Sequence, residues 1–247
     1  MAQSDFTVLT ASLSTTVCKR GPSTIFGAAP GGTPDTHIFS TVSDVTGAAG
    51  LFYSRVSEPD FNPVVAGATV EGVLYRDSST GLGCSTFLFA GAQGTAITDS
   101  AYLIGLADAD PAPIIIRKGP ISQGIPDLTP DPAVNGVLMR TVETFSRATF
   151  VQVKMEVIVQ ANGDVILTGR LNDLTAPGAD VDTPSYVVPS GFEGTISAVT
   201  GFVDDFGQIS TGTAPLVGGR AGFGFAADGL GRRGAIDVFR FARHAAP

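Results

Sequence analysis

The sequence predicts an all-β chain folded as two antiparallel sheets packed face to face. Three observations predict it. Val151, Val153, Met155, Val157 and Val159 alternate with Gln152, Lys154, Glu156 and Gln160, and a period of two marks a half-buried strand. Many apolar stretches of strand length follow one another between turn signals, with almost no helical period. The chain also holds 31 Gly and 16 Pro in 247 residues, which suits many turns and few helices.

The alternating strand opens a hairpin at residues 150–171. Ala161-Asn162-Gly163-Asp164 turns the chain, because Asn and Gly tolerate positive φ. Val165, Leu167, Gly169 and Leu171 then continue the pattern on the return strand. A valine-rich face of this kind needs a second sheet to cover it, and the rest of the chain must supply one.

From the N-terminus, residues 6–17 are β-prone, and 19–35 form a long loop interrupted by Gly21-Pro22 and Pro30-Gly31-Gly32. Strands are expected at 37–45, 51–56, 68–76, 84–90, 101–106 and 114–118. The last two are apolar on both faces, the mark of a strand covered on both sides. Residues 120–136 are Pro-rich and irregular. Residues 137–147 are ambiguous: Leu138, Val142 and Phe145 have helical spacing, so this is the one short helix the first two-thirds of the chain allows. After the hairpin, 172–189 is a polar loop, and strands return at 194–203, 220–226 and 235–243. No internal repeat or linker divides the chain. The expectation is one domain, 1–247, with an N-terminal arm at 1–10 and a tail at 244–247.

Composition narrows the function. Lys plus Arg is 15 and Asp plus Glu 23, a net charge of −8, which a phosphate backbone repels; nucleic acid is not an expected partner. Charged residues make up only 15%, which fits a surface that adheres to other protein. Neither a basic-then-apolar leader nor a membrane-length apolar run occurs, so a soluble chain made in a cytoplasm, with no membrane partner, is expected. Cys18 and Cys84 lie in no zinc-binding pattern, and two buried free thiols are favoured over a disulfide.

Motifs that carry chemistry are scarce. Glycosidases on β-sandwiches need two carboxylates facing one sugar. Glu58, Glu71, Glu143, Glu156 and Glu193 have no neighbour at a Glu-x-Asp-x-x-Glu spacing, so Glu156 reads as a solvent-facing strand residue. Gly222-Phe223-Gly224-Phe225-Ala226-Ala227 fits a dinucleotide-loop pattern, but Asp228-Gly229 stops the chain where a helix must begin. Asp108, Asp110, Asp180 and Asp182 supply the oxygen ligands calcium prefers and are its candidate ligands, without the spacing of an EF-hand. His37 and His244 are isolated. Trp is absent and Tyr numbers only four, which leaves few rings for a sugar platform. No catalytic residue and no cofactor is assigned.

Three segments taken together carry a resemblance. Val73-Leu74-Tyr75-Arg76 precedes Tyr102-Leu103-Ile104-Gly105-Leu106 and Ile114-Ile115-Ile116-Arg117-Lys118-Gly119. The hairpin ends in Leu171-Asn172-Asp173. Gly222-Phe223-Gly224-Phe225 precedes Ala235-Ile236-Asp237-Val238-Phe239. In that order they resemble the concanavalin A-like, or laminin-G-like, jelly roll. With Pro30-Gly31-Gly32, the turn at 47–52 and Phe61-Asn62-Pro63, the chain resembles tailed-bacteriophage virion proteins built on that jelly roll. The resemblance implies a non-enzymatic virion structural protein, a capsid decoration or cement protein. Its partners would be the major capsid protein or other virion proteins, and it would form a homo-oligomer, with a trimer favoured. The alternative is a carbohydrate-binding, lectin-like module of a phage tail or cell surface, with a glycan as partner. A glycoside hydrolase ranks third.

Overall fold

Alternation decides which side chains leave water, and the described residues form thirteen strands. The computed structural model describes residues 6–8, 37–42, 49–55, 67–77, 84–94, 98–146, 149–173, 199–204, 211–227 and 233–244. The strands are β1 (Phe6–Val8), β2 (His37–Val42), β3 (Ala49–Arg55), β4 (Gly67–Asp77), β5 (Cys84–Ala92), β6 (Ser100–Leu106) and β7 (Ala112–Pro120). They continue as β8 (Val137–Phe145), β9 (Phe150–Val159), β10 (Val165–Asp173), β11 (Val199–Asp204), β12 (Arg220–Ala227) and β13 (Arg233–His244).

Two sheets result. One has seven strands in the order β1-β3-β12-β5-β6-β7-β8, the other six in the order β11-β10-β9-β4-β13-β2. Every pairing is antiparallel. β12 returns late in the chain to lie between β3 and β5, and β13 lies between β2 and β4. This is the two-sheet antiparallel jelly-roll sandwich the sequence predicts.

The hairpin at its centre keeps the expected register, Val165 opposite Val159 and Leu171 opposite Val153. Its turn closes with Gln160 N–H donating to the Asp164 carbonyl at 2.8 Å and Gly163 N–H donating to the Gln160 carbonyl at 3.0 Å. Gly163 takes φ of 91°, which a side chain would resist. Asn162 Oδ1 accepts from the Asp164 amide at 3.1 Å.

The main core lies between the sheets. Leu88, Tyr102, Ile104, Ile114 and Ile116 come from the seven-stranded sheet and meet Val70, Leu74, Val151, Val153, Met155 and Val157 from the other. Each such fully buried apolar side chain contributes about 1.5–3 kcal/mol of transfer free energy. A second cluster sits on the outer face of the seven-stranded sheet: Phe87, Phe89, Leu103 and Ile115, covered by Ile121 and Ile125. The double-sided apolar pattern of β6 and β7 is thereby explained. Segment 120–136, Pro-rich and irregular in sequence, places Ile121 and Ile125 on its own sheet.

Residues 137–145 are strand, not helix. Arg140 lies opposite Ile115 and Met139 opposite Ile116, so the free edge of β7 captures a segment whose helical spacing was coincidental. The ladder shifts register between Ile116 and Arg117, which shows the fit is imperfect. The one helical turn among the described residues is the 3-10 turn Ile121–Gln123. No helix there is long and apolar enough to cross a membrane.

Candidate functional site: a polar pocket beside β7

β7 sends alternate residues to opposite faces, and its C-terminal end is where they stop being apolar. Ile114, Ile116 and Lys118 face the inter-sheet core, while Ile115 and Arg117 face outward. Both cations are nearly inaccessible, Lys118 at 5% and Arg117 at 2% exposure. They differ in how they are neutralised.

Lys118 is matched. Its Nζ lies 2.7 Å from Asp204 Oδ2, 2.8 Å from Thr211 Oγ1, 2.9 Å from the Thr213 carbonyl and 2.7 Å from the Ala214 carbonyl. An ammonium has three protons, so four acceptors leave it no free donor. Asp204, fully buried on β11, also accepts from the Tyr102 hydroxyl at 2.5 Å and from Thr211 Oγ1 at 2.9 Å. The Tyr102 oxygen accepts in turn from the Leu216 amide at 2.9 Å. This network joins β6 and β7 of one sheet to β11 of the other and fixes residues 211–216. Burial pushes the Tyr102 phenol far above its ordinary value, with the charge of Asp204 and its hydrogen bond adding to the effect. Burial pulls the Lys118 ammonium down, against the opposing pull of Asp204.

Arg117 is not matched. Nη1 donates to the Gly124 carbonyl at 2.9 Å and Nη2 to Gln123 Oε1 at 2.7 Å, both neutral acceptors. Nε is buried without a partner, and burial alone lowers the guanidinium from its usual range. The short turn after Pro120 supplies both acceptors. It is anchored by the Ile125 amide donating to Ser85 Oγ at 3.1 Å and by the Asp108 amide donating to the Ile125 carbonyl at 2.9 Å. Gly119 makes room for the guanidinium: a Cβ there would stand 2.4 Å from Nη2.

A pocket of about 240 Å³ opens beside these residues, between the end of β7 and residues 132–136. Ser100, Arg117, Gln123, Asn135, Thr211 and Thr213 give it polar walls. Val134, 83% exposed, forms part of its rim. Among the described residues no carboxylate, histidine or cysteine lines it.

No protein-family model and no curated protein sequence matches the chain. Among solved structures it is similar to the carbohydrate-binding module CBM66 from Bacillus subtilis, at 9% identity and a TM-score of 0.47, over 96% of this chain and 94% of that one. It is also similar to a PL-14 alginate lyase from Aplysia kurodai, at 11% identity and a TM-score of 0.47, over 83% and 82% of the two chains. A lectin from Bauhinia forficata in complex with GalNAc gives 10% identity and a TM-score of 0.43, over 100% and 95%.

The residues singled out from sequence fall elsewhere. Asp108 and Asp110 flank β6–β7 at the opposite end of those strands, with Arg76 Nη2 4.0 Å from Asp110 Oδ1. Asp180 and Asp182 lie outside the described residues, as do Cys18, Glu58 and Glu193. Among the described residues no three or more His, Cys, Asp or Glu gather as a metal would require. His37 begins β2 and His244 ends β13. The Gly222–Ala227 pattern lies wholly within β12, so no helix N-terminus is present to hold a pyrophosphate.

One juxtaposition escaped the in-strand spacing. Glu71 on β4 lies opposite Lys154, and Thr69 opposite Glu156, so Glu71 and Glu156 are diagonal neighbours on the outer face of the six-stranded sheet. Both are engaged: Lys154 Nζ is 3.3 Å from Glu156 Oε1, and Gln152 Nε2 donates to Glu71 Oε1 at 2.7 Å. Arg117 and Lys118 were visible in sequence only as part of a strand. A charged pair closing an otherwise apolar run was the available signal.

Proposed function

We propose that this protein is a non-enzymatic carbohydrate-binding module of lectin-like type. The observation that carries the reading is the lining of the pocket beside β7. Hydroxyl, amide and guanidinium groups converge there, with an aliphatic rim at Val134. That combination suits a sugar, which presents hydroxyls around its ring and an apolar C–H face. Proton transfer near neutrality needs a carboxylate, imidazole or similar group within reach, and the described residues of the lining supply none. The Lys118 ammonium, saturated by four oxygens, holds structure instead.

A glycan array probed with the full chain tests this. Saturable binding to at least one glycan, lost in Ala133→Trp, which fills the pocket, is the expected result. An array with no binding overturns the reading. Turnover on a panel of polysaccharides that disappears in Glu156→Gln would replace it with a hydrolase.

A second reading rests on β8. This strand ends the seven-stranded sheet and exposes Val142 almost completely, at 99%. An apolar residue on an edge strand invites pairing with another chain. The reading is a virion structural protein of a tailed bacteriophage that decorates the capsid as a symmetric homo-oligomer. Added to capsids, it would raise their melting temperature, and Val142→Lys would weaken that effect. A monomer with no effect on capsid melting excludes it.

A further inference from the structure

Gln123 borders the pocket beside β7 and is exposed, yet its amide is not free to turn. Nη2 of the buried Arg117 donates to its Oε1 at 2.7 Å, while Nη1 is tied to the Gly124 carbonyl. A guanidinium carries only donors, so the amide atom that faces it is the oxygen, and a flip would set N–H against N–H. Oε1 and Nε2 diverge from one carbon. Nε2 is therefore turned away from the guanidinium, with both its N–H groups unengaged among the described residues. Most other polar groups of the lining are already committed. Lys118 and Thr211 belong to the Asp204 network. The Asn135 side chain donates to the Thr129 carbonyl at 3.0 Å and accepts from the Val137 amide at 2.9 Å. That leaves Gln123 Nε2 and the Ser100 and Thr213 hydroxyls to meet a ligand. A hydroxyl can donate or accept, so of the three only Gln123 Nε2 has a fixed polarity. Nor is glutamine the residue that stability alone would favour. Glutamate has nearly the same shape, and at 123 it would give Arg117 the counter-charge it lacks, since burial alone governs that guanidinium.

We propose that Gln123 is the specificity-determining residue of this pocket: Arg117 holds its Oε1, and its Nε2 donates to an acceptor oxygen of the bound sugar. This rests on the carbohydrate-binding reading and adds to it the residue that selects the ligand. A donor of fixed polarity accepts a ring hydroxyl or the carbonyl of an acetamido group. It rejects an ammonium, which would bring donors against donors. Arg117 does not touch the ligand; sealed from water at 2% exposure, it is the positioning residue that keeps the amide in one orientation. A glutamate would strengthen that contact and remove the donor in the same step.

Titration of the full chain, followed by NMR, tests the proposal. The probes are D-glucose, D-galactose, N-acetyl-D-glucosamine, N-acetyl-D-galactosamine and D-glucosamine, at about pH 6, where the last carries an ammonium. At least one neutral sugar should bind about fivefold or more tightly than D-glucosamine, as one hydrogen bond gained against one blocked implies. Binding by the acetamido sugars alone assigns the acceptor to their carbonyl; binding by glucose or galactose as well assigns it to a hydroxyl. Gln123→Glu and Gln123→Met should each weaken the neutral sugar by about fivefold or more. Their urea midpoints should move in opposite directions, upward in Gln123→Glu, where Arg117 gains a carboxylate, and downward in Gln123→Met, where it loses an acceptor. Affinity that instead follows stability, retained or improved in Gln123→Glu, would overturn the proposal. A midpoint not raised in Gln123→Glu would overturn the part given to Arg117. No binding by any of these sugars would overturn the proposal too, and the glycan array decides separately whether the carbohydrate-binding reading stands.

Discussion

Replacing Lys118 with methionine isolates the inter-sheet network. The substitution nearly preserves volume and removes one ammonium. Asp204 then stays fully buried, with Tyr102 and Thr211 still donating to it but no counter-charge. The Ala214 carbonyl loses its donor as well, and the Thr213 carbonyl keeps only the Thr211 hydroxyl. Removing one member of a buried pair costs about 3–5 kcal/mol, and the two surviving donors place this case near the lower end, about 3 kcal/mol. With a urea m-value of about 3 kcal/mol/M, reasonable for a large domain, the midpoint should fall by about 1 M at unchanged m. Asp204→Asn in the same chain should recover about half of the loss, because an asparagine accepts from Tyr102 and no longer carries an unpaired charge. The double-mutant cycle then reads the coupling directly. Hydrogen exchange at Leu216, whose amide donates to Tyr102, should accelerate in Lys118→Met before global unfolding does. A midpoint shift below about 0.3 M, or additive effects of the two substitutions, would refute the view that Lys118 and Asp204 hold the sheets together at this end.

Tyr102→Phe tests the same network by pH. The phenol's folded value lies far above its unfolded one, so its contribution is present below pH of about 10 and is lost as pH rises beyond it. The wild type should therefore lose about 1.4 kcal/mol more per pH unit above 10 than the phenylalanine variant, measured by urea unfolding. Equal alkaline slopes would contradict this. Arg117 and Lys118 carry the opposite sign: their folded values are lowered, so each adds a stability term that grows with pH. Gly163→Val should cost about 1 kcal/mol or more, because φ of 91° suits glycine, and an unchanged melting temperature would show that the turn relaxes freely. Gly119→Ala should displace the guanidinium, since the new Cβ would stand 2.4 Å from Nη2, and should lower the melting temperature; an unchanged value would show that Arg117 shifts aside freely.

The fold was legible because β patterning is local. The alternation through Val151–Val159 and its mirror through Val165–Leu171 specify a face, a turn and a register without knowledge of the partner sheet. Residues 137–145 misled because Leu138, Val142 and Phe145 match the helical period. What decides their state is the open edge of β7, a tertiary fact. The candidate site was less legible for a similar reason. Lys118 meets Asp204 across 86 positions, and Tyr102 meets it across 102. Glu71 and Glu156 become neighbours only through the β4–β9 register. Sequence spacing reveals sites built within one element, and these are built between elements.

Adjacent residues on one strand therefore meet opposite fates. The pleat sends Lys118 inward, where a sandwich can supply a carboxylate from the facing sheet, and β11 does so with Asp204. It sends Arg117 outward, where only the chain's own loop covers it, and that loop offers a carbonyl and an amide. A charge matched from within is scaffolding, since nothing is gained by bringing a ligand to it. A charge left unmatched is a standing cost to the fold, and solvent does not relieve it here because Nε is sealed from water.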